Sequence, residues 1–122
     1  MKIAEVVPSR RYRAGKRQLE IADCARIDLA PDEQVTFRTE AGGEYDVTRK
    51  DWGFYATPSL NGRLPGFGLR GVLVKNTDGR TFVLLVEGGY EESFNRYVAE
   101  EQLSIVAWLD AGEAGLREAF AR

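Results

Sequence analysis

The sequence predicts an α+β fold: a mixed, mostly antiparallel β-sheet or small open barrel of about six to seven strands, with a C-terminal β-α-β unit and a short terminal helix. Three observations carry this expectation. Alternating apolar and polar residues dominate the first two thirds of the chain, two pairs of alternating runs are joined by hairpin-type turns, and an amphipathic helical stretch lies between two apolar runs near the end.

Taken in order, Lys2 to Val7 reads as a short edge strand, and Pro8 with the basic residues that follow reads as an extended lead-in covering residues 8–17. From Leu19 the apolar residues fall mostly on odd positions (Leu19, Ile21, Ala25, Ile27, Leu29), the period-two signature of a half-buried strand, with a bulge or split expected near Asp23. Ala30-Pro31-Asp32 ends it in a turn. Gln34 to Thr39 and Tyr45 to Arg49 alternate again, placing Val35, Phe37, Tyr45 and Val47 on one face, and Glu40-Ala41-Gly42-Gly43 supplies a hairpin connection between them.

Leu69 to Lys75 and Arg80 to Glu87 form a second hairpin around Asn76-Thr77-Asp78-Gly79, whose Asn, Asp and Gly are the residues that tolerate tight turns. After Gly88-Gly89, the spacing of Tyr90, Phe94, Tyr97 and Val98 gives one apolar helical face from about Glu91 to Glu101. Glu91 and Glu92 suit the positive end of that helix dipole. Leu103 to Leu109 reads as a buried strand closing a β-α-β unit in a mixed sheet, and Leu116, Ala119 and Phe120 mark a short terminal helix. No repeat or linker divides the chain, so residues 1–122 are expected to form one domain.

Composition narrows the chemistry. Histidine is absent, which removes Ser-His-Asp and Cys-His catalysis and His-ligated metals, and the single Cys24 cannot form an internal disulfide or a thiolate cluster. Cys24 is expected to be a small core residue, and no metal or cofactor is expected. The apolar runs Val83 to Val86 and Ile105 to Leu109 fall far short of the ~20 residues of a membrane span, and Met1 to Pro8 lacks the apolar stretch of a secretory leader. The expectation is a cytoplasmic protein that does not enter the membrane.

Charge is uneven. Residues 1–17 carry six Lys or Arg against one Glu, leaving the rest of the chain acidic, with a net charge of −2 overall. Arg10, Arg11, Arg13, Lys16 and Arg17, with Tyr12 among them, form a candidate anion-binding arm. A calculated pI near 5.3 argues against nucleic acid as the partner and leaves a small phosphorylated molecule as the better anion.

The most unusual segment is Trp52 to Gly68, with four aromatics, four glycines and two prolines in 17 residues and no clean period. Its aromatics offer flat contact area, Thr57, Ser59 and Asn61 offer hydrogen bonds, and Arg63 with nearby Arg70 can each grip a carboxylate or phosphate through two bonds. Trp52, Tyr55, Thr57, Ser59, Asn61, Arg63 and Arg70 are therefore the candidate ligand-binding residues. The opposing expectation is a loop that covers the open end of the sheet with its own aromatics, part of Trp52 to Thr57 being simply another strand. The Gly88-Gly89 turn lacks every phosphate-loop fingerprint, and Glu44, Asp46, Asp51 and Glu87 are the carboxylates that a cleft could bring together.

These features favour a non-enzymatic binding or accessory domain for a protein partner or a small anionic ligand. The alternative is a small enzyme using carboxylates and arginines on a phosphorylated or sugar-like substrate, and RNA binding through the basic arm comes third. An exposed strand such as Lys2 to Val7, or the aromatic loop, also offers a homodimer contact.

Overall fold

The computed structural model describes residues 1–122 and contains eight strands and three helices, an α+β fold with three small sheets and no closed barrel. The chain forms two compact units, Met1–Val35 with Val47–Ala56, and Thr36–Asp46 with Thr57–Arg122.

The first unit is built on a long hairpin. Strands β1 (Lys2–Ala14) and β2 (Leu19–Asp28) pair antiparallel as a two-stranded sheet, with Ile3 opposite Ile27, Tyr12 opposite Ile21 and Ala14 opposite Leu19. The chain reverses at Gly15 and Gln18, both at positive φ. Three expectations are corrected here. The basic stretch from Pro8 to Ala14 is part of β1, because its backbone is paired with β2, and the extended lead-in does not exist as a separate segment. The irregularity lies in β1 between Glu5 and Arg10, leaving β2 continuous through Asp23. Cys24 faces that bulge and is exposed, so it is not a core residue; the period-two alternation of β2 does not place either of its faces in a core.

Strands β3 (Gln34–Arg38), β4 (Glu44–Lys50) and β5 (Gly53–Tyr55) form a second sheet in that order. The base of the β3–β4 hairpin belongs to the first unit, where the Thr48 hydroxyl donates to Gln34 Oε1 at 2.9 Å; its tip belongs to the second, where Phe37 stacks on Tyr45 with centroids 5.1 Å apart and the Thr36 hydroxyl donates to Asp46 at 2.7 Å.

All of the buried hydrophobic side chains lie in the second unit. Strands β6 (Leu69–Lys75), β7 (Thr81–Glu87) and β8 (Ser104–Trp108) form a sheet with β6 in the middle, antiparallel to both neighbours. β7 and β8 therefore run in the same direction, joined by helix α2 (Glu91–Glu100), which is the expected β-α-β unit with a strand inserted at its centre. The expected mixture of parallel and antiparallel neighbours in this sheet is thereby replaced by two antiparallel contacts.

The β6–β7 turn follows its sequence chemistry: Asn76 Oδ1 accepts from the amides of Asp78 and Arg80, and Gly79 takes φ 80°. Val72, Val74 and Val86 are the core, covered by Leu84, Phe94, Leu103 and Trp108, with Phe94 edge-on to Trp108 at 5.9 Å. β8 is less buried than its apolar run suggests, with only Ala107 fully inside. Helix α3 (Gly112–Phe120) ends the fold, and no helix is long and apolar enough to cross a membrane.

Candidate functional site

The segment from Trp52 to Gly68 is more ordered than its composition suggests. Asp51 and Trp52 form a two-residue turn between the paired residues Lys50 and Gly53, Gly53 takes φ 143°, and the chain enters β5. Trp52 at this tip is 70% exposed, and Phe54 and Tyr55 are 58% and 54% exposed. Successive strand residues point to opposite faces, so Phe54 lies on the face of its partner Arg49 and Tyr55 on that of Thr48. Arg49 is held from within the same unit, donating to the carbonyls of Leu29 at 3.0 Å and Lys50 at 2.8 Å. All three aromatics of this tip are more than half exposed.

The remaining marked residues lie in the second unit. Thr57 is half-buried beside buried Pro58, and Ser59 Oγ accepts from the Arg63 amide at 2.8 Å, fixing the start of the short helix α1 (Arg63–Gly66) whose Leu64 is fully buried. Ser59 and Asn61 line an open groove of about 900 Å³ with Leu60, Leu109, Leu116 and Phe120, the last two from α3.

The arginines are engaged internally. Arg63 sits 3.7 Å from Asp46 and over the Phe67 ring at 5.2 Å. Arg70 donates from Nε and Nη2 to Asp110 at 2.6 and 3.2 Å and lies over Trp108 at 4.2 Å. The hydrogen bonds from Arg70 hold the Asp110 carboxyl below the ordinary aspartate range, and the same bonds raise Arg70 further.

The basic stretch behaves likewise. Arg10 pairs with Asp23 at 3.4 Å and covers Tyr12, Arg11 pairs with Glu20 at 2.9 Å, and Arg13 donates to the Gln18 carbonyl at 3.4 Å. A hydrogen bond from Arg26, reinforced by Arg10, keeps the Asp23 carboxyl low. Lys16 and Arg17 stand in the β1–β2 turn. Arg10 and Arg11 thus form cross-strand ion pairs with β2, while Arg13 binds a carbonyl of the turn.

Glu44 and Glu87 both line a cleft of about 350 Å³ walled by Gly42, Gly43, Gly66, Gly68 and Gly88. Both are committed to structure: Glu44 pairs with Arg38 at 2.9 Å, and Glu87 Oε2 accepts from the Thr39 hydroxyl at 2.7 Å and the Gly43 amide at 3.0 Å. No group of three or more Cys, Asp or Glu side chains converges as metal ligands would.

No known protein family, curated protein or solved structure matches this chain.

Sequence reasoning missed Phe54 as an exposed aromatic, and missed Leu116 and Phe120 as a groove wall. Both were visible as apolar residues, but only their surroundings distinguish a covered face from an open one.

Proposed function

We propose that this chain is a non-enzymatic protein-binding domain whose partner docks on the aromatic tip Trp52, Phe54 and Tyr55. The observation carrying this reading is that the first unit contains no buried residue, while nine of its large hydrophobics, Met1, Ile3, Val7, Tyr12, Leu19, Ile21, Trp52, Phe54 and Tyr55, are exposed. Soluble proteins rarely leave such apolar surface uncovered without an interaction to use it, and Trp and Tyr dominate the energetics of protein interfaces.

The position of β5 supports a mode of docking. It is an edge strand of the β3–β4–β5 sheet, so its outer backbone groups can pair with an extended partner segment whose aliphatic or aromatic side chains pack on Phe54 and Tyr55. A small anion is disfavoured because Arg10, Arg11, Arg63 and Arg70 each already face a carboxylate.

The test is affinity capture with the wild-type chain and the Trp52→Ala/Phe54→Ala/Tyr55→Ala variant, followed by calorimetry with the purified captured protein. Loss of at least tenfold in affinity, with an unchanged circular dichroism spectrum, supports the reading. Equal affinity of the folded variant overturns it.

A second reading is a small amphipathic ligand in the α3 groove, favoured by the meeting there of Ser59 and Asn61 with Leu60, Leu116 and Phe120. A thermal-shift screen of aromatic and acyl carboxylates, repeated on Leu116→Asp, tests it: stabilisation lost in the variant supports it, and no stabilisation in the wild type removes it.

A further inference from the structure

The hairpin β1–β2 is a sheet of only two strands, and its two edges differ. β1 carries the protections of an edge strand: Pro8, a bulge between Glu5 and Arg10, and the cations Lys2, Arg10, Arg11 and Arg13. β2 carries ten consecutive residues without proline, glycine or bulge, and it hydrogen-bonds to no strand but β1. Leu19 and Ile21 on its apolar side are 43% and 41% exposed. A two-stranded hairpin is marginal in water, whereas three or more strands with a common apolar face are stable.

We propose that β2 pairs antiparallel with β2 of a second copy of this chain, making a four-stranded sheet β1–β2–β2–β1 across a two-fold axis. β2 is complementary to a second β2. A slip of one residue would set apolar side chains against the polar face, so only registers differing by two residues are open. With Asp23 on the axis, Leu19 faces Ile27, Ile21 faces Ala25, and Glu20 faces Arg26, each pair occurring twice.

Placing Cys24 on the axis sets Glu20 against Asp28 twice, and placing Ala22 there leaves Ile27 and Arg26 without partners. The two Asp23 carboxylates that meet in the favoured register are each already neutralised by Arg10 and Arg26 of their own chain. Glu20 and Arg26 are themselves exposed enough to bridge to the second copy while keeping Arg11 and Asp23. This surface is separate from the aromatic tip, and the inference does not rest on the partner assigned to that tip.

Sedimentation equilibrium of the wild-type chain is expected to show a dimer. Glu20→Arg and Arg26→Glu should each sediment as monomers, because each sets like charges against each other, while an equimolar mixture of the two should restore the dimer. Cys24, facing Ala22 across the axis, supplies a second measurement on the unmodified chain. A short bis-maleimide should join the two Cys24 thiols in concentrated solution and not after dilution to monomer, and Cys24→Ala should abolish the product.

A wild type that stays monomeric to millimolar concentration overturns the inference. So does a dimer that both charge variants retain, or one whose Cys24 thiols fail to cross-link. Trp52→Ala should leave the dimer intact, which separates this outcome from that of partner docking.

Discussion

Arg70 stands over the ring of Trp108, its guanidinium carbon 4.2 Å from the ring centroid, while its nitrogens reach the carboxylate of Asp110. One side chain at the start of β6 thus joins the two residues that end β8 and follow it. The contact gives an internal carboxylate to an arginine that the sequence alone offers as a ligand-binding group.

Its pH dependence has a definite sign. An aspartate titrates near 3.8 in the unfolded chain and lower when folded against Arg70, so the pair contributes stability above that value and loses it as pH falls through the folded value. Asp110→Asn should therefore destabilise the chain at neutral pH by roughly 1 kcal/mol, a small figure because the Arg70 side chain is 46% exposed and screened by water. Urea melts at pH 7 and pH 3 check this: the difference between variant and wild type should shrink at the lower pH. Arg70→Lys, which loses the two-bond fork and the stacking, should behave similarly at neutral pH.

Glu87 makes the second prediction. Its carboxylate ties the end of β7 to the tip of the β3–β4 hairpin through Thr39 and Gly43. Glu87→Ala should cost about 1 kcal/mol, because the Thr39 hydroxyl and the Gly43 amide lose a shared charged acceptor while the amide keeps the Thr39 hydroxyl oxygen at 3.0 Å. Glu87→Gln keeps an acceptor oxygen and should cost less. Gly43→Ala should also destabilise, since a β-carbon there would stand 2.9 Å from Glu87 Oε2 and 3.2 Å from Leu69 Cδ2. Melts of all three variants equal to that of the wild type would show the tie to be idle.

Leu64 and Trp52 form a contrasting pair. Leu64 is fully buried, so Leu64→Ala should cost about 2–5 kcal/mol and loosen the Ser59 to Gly66 turn. Trp52 is 70% exposed, and Trp52→Ala should change stability by less than about 0.5 kcal/mol despite removing the larger side chain. Thermal melts of both distinguish a packed tryptophan from one held out for a partner.

What was legible in the sequence follows from how local each signal is. The second hairpin could be read almost residue for residue, because Asn76 and Gly79 specify its turn by their own chemistry. Helix α2 was equally plain from the spacing of Phe94, Tyr97 and Val98. Period-two alternation in β2 reports that a strand has two unlike faces, but not whether anything lies over either of them, and so Cys24 was misplaced. β5 and α1 span three and four residues, too short for a period to register, so a strand within Trp52 to Thr57 is legible only as an alternative and α1 not at all. The partners of Arg63 and Arg70 lie 17 and 40 residues away, and only folding brings them together.

Hydrogen exchange should reveal the difference between the two units. Amides of β6 sit beside Val72 and Val74, which are fully buried, and should open only with unfolding of the core they anchor. Amides of β1 and β2 have no buried side chain next to them and should exchange orders of magnitude faster in dilute solution. Raising the protein concentration should then protect β2 selectively, because its outer backbone groups acquire partners in the second copy while those of β1 do not. Protection of β1 and β2 equal to that of β6 in dilute monomer would mean that the hairpin is anchored as firmly as the core.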